Sequence, residues 1–190
     1  MSAHEPLLFH GAPGSPYTRK MLALIRYRRI GYEVLWGRMI EQRPDLPKPK
    51  VALMPTFFFN GENGVEAVVD SSPILRRLET EFSGRSVLPD DPALGFLNTL
   101  VEDYGDEWLT KAMFHYRWAF DDDIAHGGPL LAFWNDPTLP GDVAAKFGGA
   151  FAQRQVERLW VGGANDTTRA VSEQSDVRFL EILGGLIDAP

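Results

Sequence analysis

The segment MPTFFFNGENGVEAVV, residues 54–69, contains the pattern that decides the fold, together with Asp70 and SSPILRRL (71–78) after it. Two runs rich in aromatic and β-branched residues, 55–59 and 65–69, flank the turn NGENG, which predicts a β-hairpin. Asp70 and Ser71 follow the second run and are good helix N-caps, and the apolar residues after them recur at helical spacing. The sequence therefore predicts two strands and then a helix that ends near residue 83.

The residues upstream of this segment predict a strand, a helix and a second strand. PLLFH (6–10) and YEVLW (32–36) have the composition of strands, and residues 16–29 place apolar side chains on one side of a helix that begins with Pro16. Residues 37–53 predict a loop, because each of their three prolines disfavours helix before it. The order βαβ and then ββα predicts an α/β domain.

The residues downstream contain no strand pattern. Apolar periodicity predicts three helices, over 93–120, 142–160 and 172–187. We expect a loop between the first two helices, because Gly and Pro recur there at Gly127, Gly128, Pro129, Pro137 and Pro140.

The change from alternating strands and helices to helices alone predicts two domains. The expected division is an α/β domain over residues 1–83, a linker rich in Gly, Pro and charge over 84–92, and an all-α domain over 93–190.

Composition excludes several classes of protein. The net charge is −7, which disfavours nucleic acid as a partner, although residues 1–50 carry nine Lys and Arg against four Asp and Glu. No apolar run is long enough to span a membrane, and we expect a cytoplasmic protein. The chain has no cysteine, so disulfides, thiolate metal sites and cysteine nucleophiles are excluded. The four histidines show no metal-ligand spacing, and no metal is predicted.

Three motifs resemble those of the glutathione transferase superfamily, in which a thioredoxin-like domain precedes a helical one. SPYT (15–18) resembles the glutaredoxin C-P-Y-C motif with hydroxyls in place of both cysteines, and is most similar to the serine-type, tau- or omega-like transferases. Met54–Pro55 resembles the family's cis-proline pair. Asp70 and the eight residues after it resemble the Glu/Asp-Ser-x-x-Ile-x-x-Tyr-Leu signature, with Arg77 in place of the tyrosine. We therefore expect a thioredoxin-like domain and a cis peptide bond before Pro55.

The resemblance implies a role for each matching residue. The Ser15 hydroxyl is expected to donate a hydrogen bond to the sulfur of bound glutathione and hold it as the reactive thiolate. Met54, next to Pro55, is expected to exchange backbone hydrogen bonds with the cysteinyl unit. Ser71 is expected to hold the γ-glutamyl carboxylate, with Asp70 near its ammonium. Capping of the two helices is the simpler role for the hydroxyls and for Asp70.

Other candidate residues have weaker support. Tyr17, Asp103 and Tyr104 are candidates for an electrophile pocket or for contacts from the second domain. The pairs Glu102 with Asp106 and Asp103 with Glu107 lie at i,i+4 spacing, which offers a carboxylate metal site as an alternative. A solvated helix face explains these acids better. Neither Lys48 nor Lys50 is in register with the basic residue that the family usually has before the cis-proline.

The predicted function is addition of the glutathione thiolate to a small hydrophobic electrophile, with glutathione as co-substrate. The resemblance also implies a homodimer, and Phe57–Phe59 with the aromatic-rich helix 93–120 are expected to offer more apolar surface than one small monomer covers. The alternative is a non-catalytic binding or interaction protein with the same fold. A thiol–disulfide oxidoreductase would need a cysteine. In the family a further helix with a Ser/Thr-x-x-Asp cap packs into the second domain. We find none before Pro190, so we expect either a shortened helical domain or a fragment of a longer chain.

Overall fold

The computed structural model describes residues 5–188. Their strands are β1 (Leu7–Gly11), β2 (Tyr32–Trp36), β3 (Thr56–Gly61) and β4 (Gly64–Val69). Their α-helices are α1 (Pro16–Arg28), α2 (Ser71–Glu81), α3 (Pro92–Tyr104), α4 (Thr110–Trp118), α5 (Asp121–Asn135), α6 (Gly141–Val156) and α7 (Arg169–Asp188). The predicted fold class, a thioredoxin-like α/β domain followed by helices, is confirmed.

The strands form one mixed sheet in the order β2-β1-β3-β4. β1 is parallel to β2 and antiparallel to β3, and β3 is antiparallel to β4. A parallel pair needs a crossover, which α1 supplies, whereas β3 and β4 are joined by the short turn that their sequence predicts. The four predicted strands are therefore all present, each within two residues of its predicted ends.

The core of this sheet lies on one of its faces. Phe9 and Phe57 are fully buried there, with ring centroids 4.6 Å apart, among apolar residues of α1 and α2 such as Met21 and Ile74. Full burial of an aromatic side chain contributes about 1.5–3 kcal/mol. The helical spacing of apolar residues along α1 and α2 is therefore explained, because these residues pack against this one face of the sheet.

The chain forms two compact units. The first runs to Asn98 and also contains Phe133–Thr138, and the second contains Thr99–Ala132 and the residues from Leu139 onward. The division of the domains at residues 84–92 stays a prediction.

Two predictions about the helices need correction. The helix predicted over 93–120 is divided by a π turn at Gly105–Leu109, where glycine weakens the α-helical preference, and α4 ends at Trp118. The loop predicted around Gly127–Pro129 is instead part of α5. Three aspartates in the first turn of α5 favour its N-terminus through the helix dipole.

Packing explains why glycine is present inside α5. A Cβ atom on Gly128 would lie 2.7 Å from Gly148 O of α6, and a Cβ on Gly148 would lie 2.5 Å from Gly128 O. The two helices therefore approach each other at these glycines, and a tertiary contact outweighs the weak helix propensity of the Gly-Gly-Pro sequence.

We expect Gly148→Ala to lower the free energy of unfolding by about 1–3 kcal/mol, because the new methyl group would clash with backbone rather than with a flexible side chain. Gly149→Ala is the matched control. A Cβ at Gly149 meets nothing within 4 Å, so this change should stabilise α6 by about 0.5–1 kcal/mol. Urea denaturation followed by circular dichroism measures both, and equal effects of the two substitutions would contradict this account of the contact.

Candidate functional site

The predicted site residues of the first unit lie at one edge of its sheet. His10, at the end of β1, pairs with Thr56, at the start of β3, and Thr56 pairs with Val69, at the end of β4. The chain therefore leaves β1, enters β3 and leaves β4 at the same edge. Ser15 follows β1, Met54–Pro55 precede β3, and Asp70–Ser71 follow β4, so the register brings all three motifs to this edge.

Ser15 is the N-cap of α1, as its sequence context predicts. Its backbone is extended, and its Oγ accepts a hydrogen bond from the Thr18 N–H at 3.2 Å. The Ser15 hydroxyl also donates to Met54 O at 3.5 Å. Ser15 is half-buried, so the hydroxyl lies at the surface of this edge rather than inside the core. The structure thus brings the first two predicted motifs into direct contact.

Thr18 supports the turn that carries Ser15. Its side chain is fully buried, and its Oγ1 accepts a hydrogen bond from the Ala12 N–H at 3.4 Å. The approach is close, because a Cβ on Gly11 would lie 2.7 Å from Thr18 Cγ2. Sequence reasoning noted Thr18 only as a replacement for a cysteine and missed this structural role.

The peptide bond between Met54 and Pro55 is cis, as predicted. Pro55 is fully buried and Met54 is half-buried. The next residue, Thr56, donates its hydroxyl to Leu53 O at 2.7 Å. This bond ties the segment before Met54 to the start of β3.

Asp70 and Ser71 begin α2. The Asp70 carboxylate accepts a hydrogen bond from the Ser72 N–H at 3.2 Å, and its backbone has a φ of +80°. Positive φ is unusual for a residue other than glycine, and residues in such sparsely populated conformations cluster at functional sites. Ser71 is only 4 % exposed, whereas Asp70 is exposed. The pair therefore presents a carboxylate and the N-terminus of a helix at the same edge.

Lys20 adds a positive charge beside α2 that the sequence did not predict. Its ammonium donates to Ser72 Oγ at 3.4 Å, although the two residues lie 52 positions apart. In the sequence, Lys20 is recognisable only as a basic residue near the N-terminal end of α1. Its partner depends on how α1 and α2 pack on the sheet.

The other three candidates are distributed over both units. Tyr17 lies in the first turn of α1 and is half-buried. Asp103 is exposed on α3. Tyr104 stacks on Phe179 with ring centroids 5.3 Å apart and lines a cavity of about 380 Å³ within the second unit.

Two other kinds of functional feature are absent from residues 5–188. Residues 5–188 contain no group of three or more His, Cys, Asp or Glu side chains arranged to hold a metal ion. No helix within this range combines the length and the apolar character that a membrane crossing needs.

Comparison with known proteins identifies the first unit. Residues 9–86 match the model of the glutathione S-transferase N-terminal domain. These residues are a glutathione S-transferase N-terminal domain. The match contains the Ser15, Met54–Pro55 and Asp70–Ser71 motifs, and it confirms the superfamily predicted from them.

Similarity to individual proteins is low. A crystal structure of a glutathione transferase family member from Pseudomonas fluorescens Pf-5, with bound glutathione, is 18 % identical in sequence. The match covers 80 % of this chain and 67 % of that one, with a TM-score of 0.32, which is too low to support an argument about this chain. No curated protein is detectably similar in sequence.

Proposed function

We propose that the protein binds glutathione and adds its thiolate to small hydrophobic electrophiles. In this proposal Ser15 donates its hydroxyl to the sulfur, Met54 pairs with the cysteinyl backbone, and Ser71 and Asp70 hold the γ-glutamyl group. The nucleophile belongs to the ligand, so the reaction requires no cysteine from the protein and no covalent enzyme intermediate. The thiolate would attack the electrophilic carbon, and a leaving group such as chloride would depart with the bonding electrons.

The contact between Ser15 and Met54 carries the proposal. The donor proposed for the sulfur lies 3.5 Å from the carbonyl oxygen of the residue proposed to pair with the cysteinyl unit. Both belong to a glutathione S-transferase N-terminal domain. A sulfur that accepts a hydrogen bond from the Ser15 hydroxyl would lie near the N-terminus of α1, where the positive end of the helix dipole favours a thiolate.

A non-catalytic binding protein is the second candidate, and one observation favours it. The Ser15 hydroxyl already has two partners within the protein, since it accepts from the Thr18 N–H and donates to Met54 O. A hydroxyl used in this way acts as a helix cap, and the sulfur would have to displace Met54 O as its acceptor.

Two measurements on the purified protein separate these functions. Calorimetry measures glutathione binding, and the absorbance of the conjugate measures turnover of 1-chloro-2,4-dinitrobenzene. Binding with turnover supports the transferase. Binding without turnover supports the non-catalytic protein, and the absence of binding overturns both.

We further propose that the protein is a homodimer, although part of the surface that the sequence predicts for this role is buried. Phe57–Phe59 were expected to offer apolar surface, but all three are buried within the monomer. Helix α3 is a better candidate, since none of its residues is buried and its exposed apolar side chains are Leu94, Phe96, Leu97, Leu100 and Val101. An apolar surface of this kind is typical of a protein interface.

Light scattering at micromolar concentration is expected to give twice the chain mass of 21.3 kDa. Phe96→Lys should shift the protein towards monomer, because it places a charge within the α3 surface. Phe147→Lys on α6, which also replaces an exposed phenylalanine, is the control and should leave the mass unchanged. A monomer mass for the unmodified protein would contradict the proposal.

The cytoplasmic location of the protein stays a prediction.

A further inference from the structure

The second face of the sheet forms one wall of a cavity that the proposed glutathione chemistry does not explain. Side chains alternate along β1 and β3, so His10, Thr56 and Phe58 face away from the core that contains Phe9 and Phe57. The segment between β2 and β3 covers this second face with a short 3₁₀ helix, Gly37–Gln42, followed by a proline-rich loop. A cavity of about 730 Å³ lies beneath this cover.

The size and walls of this cavity suit a small organic molecule. Its volume is within the range of roughly 300–1,000 Å³ that is typical of ligand pockets. Most of the lining is apolar, with Leu46 and Leu53 from the loop and Phe58 from the sheet. Such a pocket needs only one or two fixed polar groups to orient a ligand.

His10 is the polar group whose chemistry selects the ligand. Its Nε2 lies 2.9 Å from Gly37 O, and a carbonyl oxygen can only accept, so Nε2 carries the hydrogen. Burial lowers the pKa of His10, and the hydrogen bond to Gly37 only partly opposes this, so the ring is neutral near pH 7. Nδ1 of a neutral ring with hydrogen on Nε2 is an acceptor. Among residues 5–188, Nδ1 has no hydrogen-bond partner.

The charged side chains that line the cavity do not select a ligand in the same way. Glu41 is bonded to Arg38 at 2.8 Å, and Arg43 to Asp45 at 2.7 Å. Lys48 is exposed, so its ammonium is hydrated at the rim. Thr56 also lines the cavity, and its hydroxyl hydrogen is already donated to Leu53 O. The polar groups against the sheet, His10 Nδ1 and the Thr56 hydroxyl oxygen, are therefore both hydrogen-bond acceptors within mostly apolar walls.

We propose that this cavity binds a small neutral aromatic alcohol, whose ring fills the apolar space and whose hydroxyl donates to His10 Nδ1. The site goes beyond the proposed glutathione function and does not depend on it. It shares Met54, which lines the cavity, with the proposed glutathione site.

The test uses 2-naphthol and 2-methoxynaphthalene, which share their rings but differ in the hydrogen-bond donor. In the absence of glutathione, 2-naphthol should bind the protein about two- to tenfold more tightly than 2-methoxynaphthalene does. This difference corresponds to one neutral hydrogen bond. It should shift the ¹⁵N resonance of His10 Nδ1 and leave the exposed His126 unchanged. His10→Phe keeps a ring on the sheet but removes the acceptor, and should abolish the preference for 2-naphthol.

Ala52→Trp tests whether the two compounds bind in this cavity. Ala52 is an exposed loop residue that lines the cavity, so a tryptophan there should fill the space and weaken the binding of both compounds at least tenfold. Ala93→Trp, at an exposed position that does not line the cavity, is the matched control and should leave binding unchanged.

Several outcomes would overturn the proposal. They are no binding of 2-naphthol to the unmodified protein, an unchanged His10 resonance on binding, or equal effects of the two tryptophan substitutions. Tighter binding of 2-naphthoate than of 2-naphthol would also overturn it, because a charge at the rim would then select the ligand. Because each measurement is made without glutathione, failure here is distinguishable from failure of the transferase proposal.

Discussion

Ser15→Ala is expected to reduce the conjugation rate at neutral pH by roughly 10- to 100-fold, with glutathione binding nearly unchanged. A hydrogen bond to a charged group contributes about 1.5–3 kcal/mol, which corresponds to this range of rates. Binding should persist because the proposed anchors at Met54, Asp70 and Ser71 remain. The apparent pKa of the bound thiol should rise by about one to two units, so much of the lost rate should return at high pH.

The geometry of Ser15 calls for two controls, because the hydroxyl also caps α1. Loss of the cap should lower stability by about 1 kcal/mol. Asp91→Ala removes the cap of α3, where the carboxylate accepts from the Ala93 and Leu94 N–H groups at 2.9 Å, and should leave the rate unchanged. Ser15→Thr keeps a hydroxyl at the same position and should retain most of the activity.

The pH profile of the conjugation rate gives the decisive measurement. If Ser15→Ala abolishes glutathione binding, or leaves both the rate and the thiol pKa unchanged, Ser15 is only a helix cap and the proposed mechanism is wrong. Ser15→Cys should behave differently, because a thiol at a helix N-terminus has a lowered pKa and can exchange disulfides with glutathione.

Local signals explain why the first unit was predictable from its sequence. The turn NGENG and the β-branched residues after it specify the hairpin over short distances. Ser15 and Asp70 each cap the helix that their position predicts. These features depend on neighbours along the chain, so sequence alone describes them well.

The features that sequence missed depend on distant contacts. The Gly-Gly-Pro sequence at 127–129 indicates a loop, yet Gly128 lies within α5 because the backbone of Gly148 packs against it. Phe57–Phe59 do not alternate in polarity, so the sequence could not show that the loop before β3 buries Phe58 on the second face. The sequence therefore predicts an apolar surface at this run, and the structure places all three side chains inside.

The candidate site shows the same division. Ser15 and Met54 were found because short motifs contain them, and their contact follows from the register of β1 and β3. Lys20 and His10 have no motif. Their roles depend on Ser72, 52 residues away, and on Gly37, 27 residues away, so only the folded arrangement shows them.

Arg28→Met is expected to have the largest effect on stability. The Arg28 side chain is only 2 % exposed, and its Nη1 lies 3.2 Å from Glu79 Oε1, whose side chain is 9 % exposed. Its other nitrogens donate to Phe82 O at 2.5 Å and to Arg85 O at 2.8 Å. Arg28 therefore ties the end of α1 to α2 and to the segment that follows α2.

Glu79 completes this buried arrangement. It accepts hydrogen bonds from the Ser86 hydroxyl at 2.7 Å and from the Val87 N–H at 3.2 Å. Removing Arg28 would leave the Glu79 carboxylate buried without its counter-charge and two backbone carbonyls without their donor. Breaking a buried ion pair in this way costs about 3–5 kcal/mol.

Urea denaturation of matched variants tests this expectation. Arg28→Met should lower the free energy of unfolding by about 3–5 kcal/mol, whereas Arg26→Met should lower it by less than about 1 kcal/mol. Arg26 is an exposed arginine on the same helix, and its Nε donates to Tyr32 OH at 2.9 Å, so the control also removes a hydrogen bond. Adding Glu79→Gln to Arg28→Met should recover part of the loss, because the uncompensated charge is then absent. If Arg28→Met and Arg26→Met have equal effects, or if Glu79→Gln adds its own full cost to that of Arg28→Met, the two side chains do not act as a buried pair.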